Sequence, residues 1–141
     1  MTKLEKQREY KRKWELANKD KCAEYRRTSR IRDEYKPSAI VTRMYGAARY
    51  RTTKSGIEFA ITKEQLYKKI VESNGICALS GLPLTAQNGN PLKLSLDRID
   101  NSKGYTPKNI QIVATCVNYA KNDLHQDAFI QMCKAVAEKT K

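Results

Sequence analysis

Apolar positions in this chain are sparse, and their spacing changes along it. The first 36 residues carry Tyr10, Trp14, Tyr25 and Tyr35 among alternating Lys, Arg and Glu, with few aliphatic side chains and no Gly or Pro. Such a segment can be helical but cannot bury a core. Pro37 is expected to end this arm, because the residue before a proline is pushed out of helical geometry. From Ser38 onward Ile40, Val41, Met44, Tyr45 and Ala48 recur at helical spacing and predict a bridging helix. Gly56 then turns the chain into a short apolar stretch, Ile57 to Ile61. Thr62, with Gln65 three residues on, reads as a capping box. The helix it opens runs to about Ser73 with Leu66, Ile70 and Val71 as its stripe, and Asn74-Gly75 is the stop signal.

After that stop come short apolar runs separated by turn residues: ICAL, SGLPL, a loop AQNGNP, and LKLSLDRID. These predict short strands or a knuckle. The turn NSKGYTPKN leads to IQIVAT, a second strand candidate, and CVNYAKNDL has helical composition. A last amphipathic helix, roughly Gln126 to Lys139, groups Phe129, Met132, Cys133 and Val136 on one face. The order of elements predicts an α+β fold. Its expected divisions are a basic helical arm over 1–37, bridging helices and a short strand over 38–74, and a strand–loop–strand–helix unit within 75–141.

Charge sharpens the picture. The 141 residues carry 28 Lys and Arg against 15 Asp and Glu, a net +13, and residues 1–54 hold 17 of those bases against 7 acids. Such a balance suits an anionic partner rather than a small neutral substrate. In the arm, Lys11, Arg12, Lys13, Arg26, Arg27, Arg30 and Arg32 can neutralise phosphates, while the interleaved Tyr and Trp can pack on sugars or bases. Arg43, Arg49 and Arg51 extend that charge along the bridging helix. The longest uninterrupted apolar run is Ile76 to Leu79, so no membrane span or export signal is expected, and the anticipated location is the cytoplasm. Four irregularly spaced cysteines (Cys22, Cys77, Cys116 and Cys133) do not form a disulfide framework and are compatible with reduced thiols, with Cys77, Cys116 and Cys133 reading as small apolar core residues. A single histidine, His125, excludes a zinc site needing two.

The segment SLDRIDNSKGYTPKNIQIVATCVNYAKNDL, Ser95 to Leu124, resembles the HNH endonucleases, specifically the phage and prophage type with a DRID motif followed by a GYTPxN turn. The preceding GICALSGLPL extends the resemblance more loosely, to roughly residues 75–124. It implies a ββα-metal unit: two short strands, a loop, and a helix packed so that a divalent ion lies between strand and helix. On this resemblance Asp97 is the metal-binding carboxylate, Asn109 braces the loop, and Asn118 is the second metal ligand. Mg²⁺ or Mn²⁺ is the implied ion, since hard cations prefer oxygen ligands. The cysteine pairs that brace many members are reduced to Cys77 and Cys116, so zinc is not expected.

Arg98 stands where the family places the His that activates water. A guanidinium stays protonated, so Arg98 cannot be that base, although it can clamp phosphate or stabilise developing negative charge. Tyr105, His125 or a metal-bound water remain as candidates for the base. Asp100 reads either as a site residue or as the cap of the turn at Asn101. Lys103, Lys108 and Lys121 are expected to supply charge near the nucleic-acid backbone. The resulting expectation is a metal-dependent endonuclease acting on DNA, and the alternative is a DNA- or RNA-binding protein that kept the hairpin and lost catalysis.

Overall fold

The computed structural model describes residues 2–21, 23 and 36–141. Its contacts divide the chain into two units, one ending at Tyr35 and one spanning Lys36–Lys141. In the first, helix α1 (Lys3–Ala17) begins at a reciprocal capping box between Thr2 and Glu5. Its apolar side chains Leu4, Tyr10, Trp14 and Leu16 are all exposed.

The second unit has a core of its own and mixes helices with one small sheet. Helix α2 (Pro37–Ser55) starts with Pro37 in its first turn, where a missing N–H costs nothing, and closes on Gly56 in the left-handed region at φ +70°. Its stripe buries Ile40, Val41 and Ala48. The capping box of Thr62 and Gln65 opens helix α3 (Lys63–Glu72), which packs on α2 and buries Leu66 and Ile70. Strands β1 (Leu94–Arg98) and β2 (Ile110–Ala114) pair antiparallel, with Asp97 opposite Gln111 and Arg98 opposite Ile110. Helix α4 (Thr115–Lys121) follows β2 without a break and packs on both strands. Leu96, Ile110 and Ile112 of the hairpin join Ile40, Leu66 and Ile70 in one core cluster. The α+β class is therefore what the structure has.

Two local expectations need correction, and one open alternative is decided. Residues 57–61 are not a strand; they make one isolated bridge, Phe59 to Tyr105. Their backbone pairs with the GYTP turn instead, through Ala60 N to Tyr105 O at 2.8 Å and Tyr105 N to Glu58 O at 2.9 Å. That approach explains Gly104, where a Cβ would come within 2.5 Å of the Glu58 carbonyl oxygen. Of the two forms expected for the ICAL and SGLPL runs, strands or a knuckle, the structure has the knuckle, closed by Cys77 N to Leu82 O at 2.9 Å and Gly81 N to Cys77 O at 3.0 Å. Finally, helix α5 (Gln126–Lys139) buries Phe129 from its apolar face but leaves Met132, Cys133 and Val136 exposed. Cys77 alone of the three described cysteines is buried, so the core reading of Cys116 and Cys133 fails; Cys22 lies outside the described residues.

Candidate active site

The antiparallel register sets Asp97 across from Gln111. Gln111 Nε2 donates to Asp97 Oδ2 at 2.8 Å and to Gln126 Oε1 at 2.8 Å, linking the end of β1 to the first turn of α5. Because α4 starts directly after β2, residues three apart on one helical face return toward β1. Asn118 Nδ2 donates to Ser95 Oγ at 2.8 Å and to the Leu96 carbonyl at 3.3 Å. One turn later Lys121 Nζ lies 3.1 Å from Asp97 Oδ1, 3.0 Å from Asp97 Oδ2 and 2.7 Å from the Arg98 carbonyl oxygen. Lys121 is 0% exposed and Asp97 4%. The expectation that Lys121 offers charge to a nucleic-acid backbone is thus corrected: its ammonium is buried, donates to Asp97 Oδ1 and the Arg98 carbonyl, and is ion-paired with Asp97.

The DRID–GYTP loop is braced from several sides. Asn109, also buried, accepts the Asp100 N–H at 2.9 Å and donates to the carbonyls of Asp100 at 3.0 Å and Gly104 at 2.9 Å. Arg98 Nη1 donates to the carbonyls of Asn101 at 3.1 Å and Lys103 at 2.8 Å, and its guanidinium sits 5.4 Å from the Tyr105 ring centroid. Tyr105 is buried beneath the turn beside Phe59. Asp100 Oδ1 accepts the Ser102 hydroxyl at 2.6 Å and its N–H at 2.9 Å. These bonds hold the Asp100 carboxyl below its ordinary value, against the small effect of burial, and the Lys103 and His125 charges add to the lowering.

His125 stands where the sequence puts it, just beyond the helix that follows β2. It follows the end of α4 and caps α5, and its ring is exposed. Asn101 Nδ2 donates to the carbonyls of Asn122 at 2.9 Å and Leu124 at 3.3 Å, so the helix end just before His125 returns to the turn.

An open groove of about 870 Å³ runs between α2 and the hairpin–helix unit. Asp97 and Asn118 border it, as do Arg43, Arg51, Lys93 and Arg98. Sequence reasoning missed Lys93, whose only signal was its alternation with Leu92 and Leu94. It also missed Tyr119, which reaches the same groove while remaining 80% exposed. Arg49 is exposed on α2 but does not line the groove, and Lys103 and Lys108 are exposed on the loop. Lys11, Arg12 and Lys13 are exposed on α1, whereas Arg26, Arg27, Arg30 and Arg32 lie outside the described residues.

No family model matches the chain. Over 91 residues, 63% of its length, it is 34% identical to an uncharacterized protein of Acanthamoeba polyphaga mimivirus, and the chain spans only 16% of that protein. Among solved structures it is similar to the rare-cutting HNH restriction endonuclease PacI, with a TM-score of 0.54 and 16% identity over 71% of this chain and 78% of that one. The fold is HNH-like. No helix among the described residues is long and apolar enough to cross a membrane.

An HNH-like fold implies a divalent ion between the first strand and the helix, and the donor set here can be tested for it. A carboxylate offers about four acceptor positions. Lys121 and Gln111 already donate one hydrogen bond to each oxygen of Asp97, and the Lys121 ammonium neutralises its charge. The remaining nominee, Asn118, is a neutral amide. Among the described residues no three His, Cys, Asp or Glu side chains converge to hold a metal, whether Mg²⁺, Mn²⁺ or zinc. One neutralised carboxylate and one amide do not fit a resident hard dication, which binds through oxyanions and water.

Proposed function

We propose that this chain binds DNA in the groove between α2 and the hairpin–helix unit and hydrolyses its phosphodiester bonds. PacI is by name a restriction endonuclease, and the HNH-like fold carries that activity over as a proposal. The single observation that supports it most is the basic lining of the groove beside the strand–turn–helix unit. Arg43, Arg51 and Lys93 are suited to backbone phosphates. Arg98 is held by two carbonyls and the Tyr105 ring, and its other N–H groups are the donors assigned to the scissile phosphate. A cation fixed before the reaction stabilises developing negative charge without reorganising.

A second reading, DNA binding without cleavage, is favoured by two observations: Asp97 is ion-paired with Lys121, and Arg98 occupies the position of the family's base. Plasmid nicking with Mg²⁺, Mn²⁺ or EDTA, run beside gel shifts, separates the two. Nicked or linear product is expected, and Arg98→Ala should lose about 2.7 to 4 kcal/mol of transition-state stabilisation while shifting DNA within a few-fold of the parent. Shifts without product under every cation select the binding reading. Absence of both sinks the DNA assignment.

A further inference from the structure

The buried pair of Lys121 and Asp97 has a use beyond that function. We infer that Lys121 is the resident counter-cation of Asp97, so that the free protein keeps its β1–α4 corner assembled without a divalent ion. The inference does not depend on DNA cleavage, and its readout needs no DNA.

The geometry carries it. Lys121 Nζ lies 3.1 and 3.0 Å from the two carboxylate oxygens and donates to the Arg98 carbonyl at 2.7 Å. Gln111 fills a further position on Oδ2. The ammonium thus does at this corner what a bridging metal does elsewhere: it neutralises the strand's carboxylate and ties strand to helix. A divalent ion arriving at Asp97 must share the carboxylate with a buried cation or expel it. Expulsion leaves an ammonium buried and unpaired, equivalent to about 10²- to 10⁴-fold in affinity.

Mn²⁺ titration of the full chain, followed by electron paramagnetic resonance and by thermal unfolding, tests this. The parent should have no saturable site tighter than about 1 mM and no Mn²⁺-dependent rise in Tm. Lys121→Met frees the carboxylate and should gain a Mn²⁺ site at least about 10²-fold tighter, with a Tm that now rises with Mn²⁺. The Asp97→Asn, Lys121→Met double variant should lose that gain. A micromolar site in the parent that Asp97→Asn removes overturns the inference, and so does a folded Lys121→Met that gains nothing. Should Lys121→Met fail to fold, Asp97→Asn decides: a Tm as indifferent to Mn²⁺ as the parent's supports Lys121 as the cation, and a parent Mn²⁺ response lost in this variant overturns it.

Discussion

Two lysine–carboxylate pairs of nearly equal length sit in opposite surroundings. Lys121 meets Asp97 at 3.0 Å with side chains 0% and 4% exposed, whereas Lys13 meets Glu9 on α1 at 2.8 Å with side chains 75% and 47% exposed. The short distance therefore says little about what either pair does. Inside, both charges are committed to the fold and a ligand cannot reach the cation. On α1 the pair lowers the Glu9 carboxyl and raises the Lys13 amine, yet water already solvates both groups. Charge on α1 is thus free for a phosphate and irrelevant to the core. The difference separates charge that builds the candidate site from charge that can hold nucleic acid.

The sharpest way to break the comparison is to remove each lysine. Lys121→Ala strands a buried carboxylate and should lower unfolding free energy by about 3–5 kcal/mol. Lys13→Ala should leave the urea midpoint where it was. Equal effects would mean the Lys121 pair is solvated in solution. The converse experiment reads DNA binding: replacing Lys11, Arg12 and Lys13 with Gln should leave stability unchanged and reduce the slope of log K against log salt by about 3. Near 0.1 M salt that corresponds to roughly 10²-fold weaker binding. An unchanged slope would place the contacting charge elsewhere, with Arg43, Arg51 and Lys93 of the groove as the next group to neutralise.

A smaller loss is expected at Gly104, which belongs to the interior side of the comparison although it sits in a turn. Its absent side chain is what lets Glu58 approach, and the backbone bonds between Tyr105 and residues 58 and 60 depend on that approach. Gly104→Ala should cost about 1–3 kcal/mol as the two segments move apart. The same variant should shift the Tyr105 ring and with it the Arg98 guanidinium, detectable as altered NMR shifts of both residues.

What could be read in the sequence follows the range of the interaction. The capping box at Thr62 and Gln65, the Asn74-Gly75 stop and the Gln126–Lys139 helix rest on contacts within four residues, and the structure has each of them. The DRID and GYTP motifs located the turn. The fate of Lys121 could not be read because its partner lies 24 residues away across the β1–α4 packing, and a lysine on a short polar helix resembles surface charge. Residues 57–61 misled for the same reason: their apolar alternation fits a strand, but the nearest backbone partner is a turn held open by Gly104. The return of the helix end to the loop was equally hidden, since the Asn101 bonds to Asn122 and Leu124 span more than twenty residues.

The smallest expected effect tests whether the second aspartate of DRID belongs with Asp97 or with the exposed charges of α1. Asp100 is held below its ordinary value first by the Ser102 hydroxyl and N–H, with Lys103 and His125 contributing. A carboxylate whose folded value is depressed adds stability above its unfolded value, and that stability disappears as pH falls through the folded value. Asp100→Asn keeps an oxygen for Ser102 but removes the charge, so its Tm should lie slightly below the parent's near pH 6. The gap should narrow as the pH falls below about 4, where the free carboxylate protonates, and close once the folded group is protonated too. Unlike Lys121→Ala, this variant should leave the β1–α4 corner intact, because Asn109 holds the loop through the backbone N–H and carbonyl of residue 100 rather than its side chain. A large loss of stability at neutral pH would instead put Asp100 among the charges the core cannot do without.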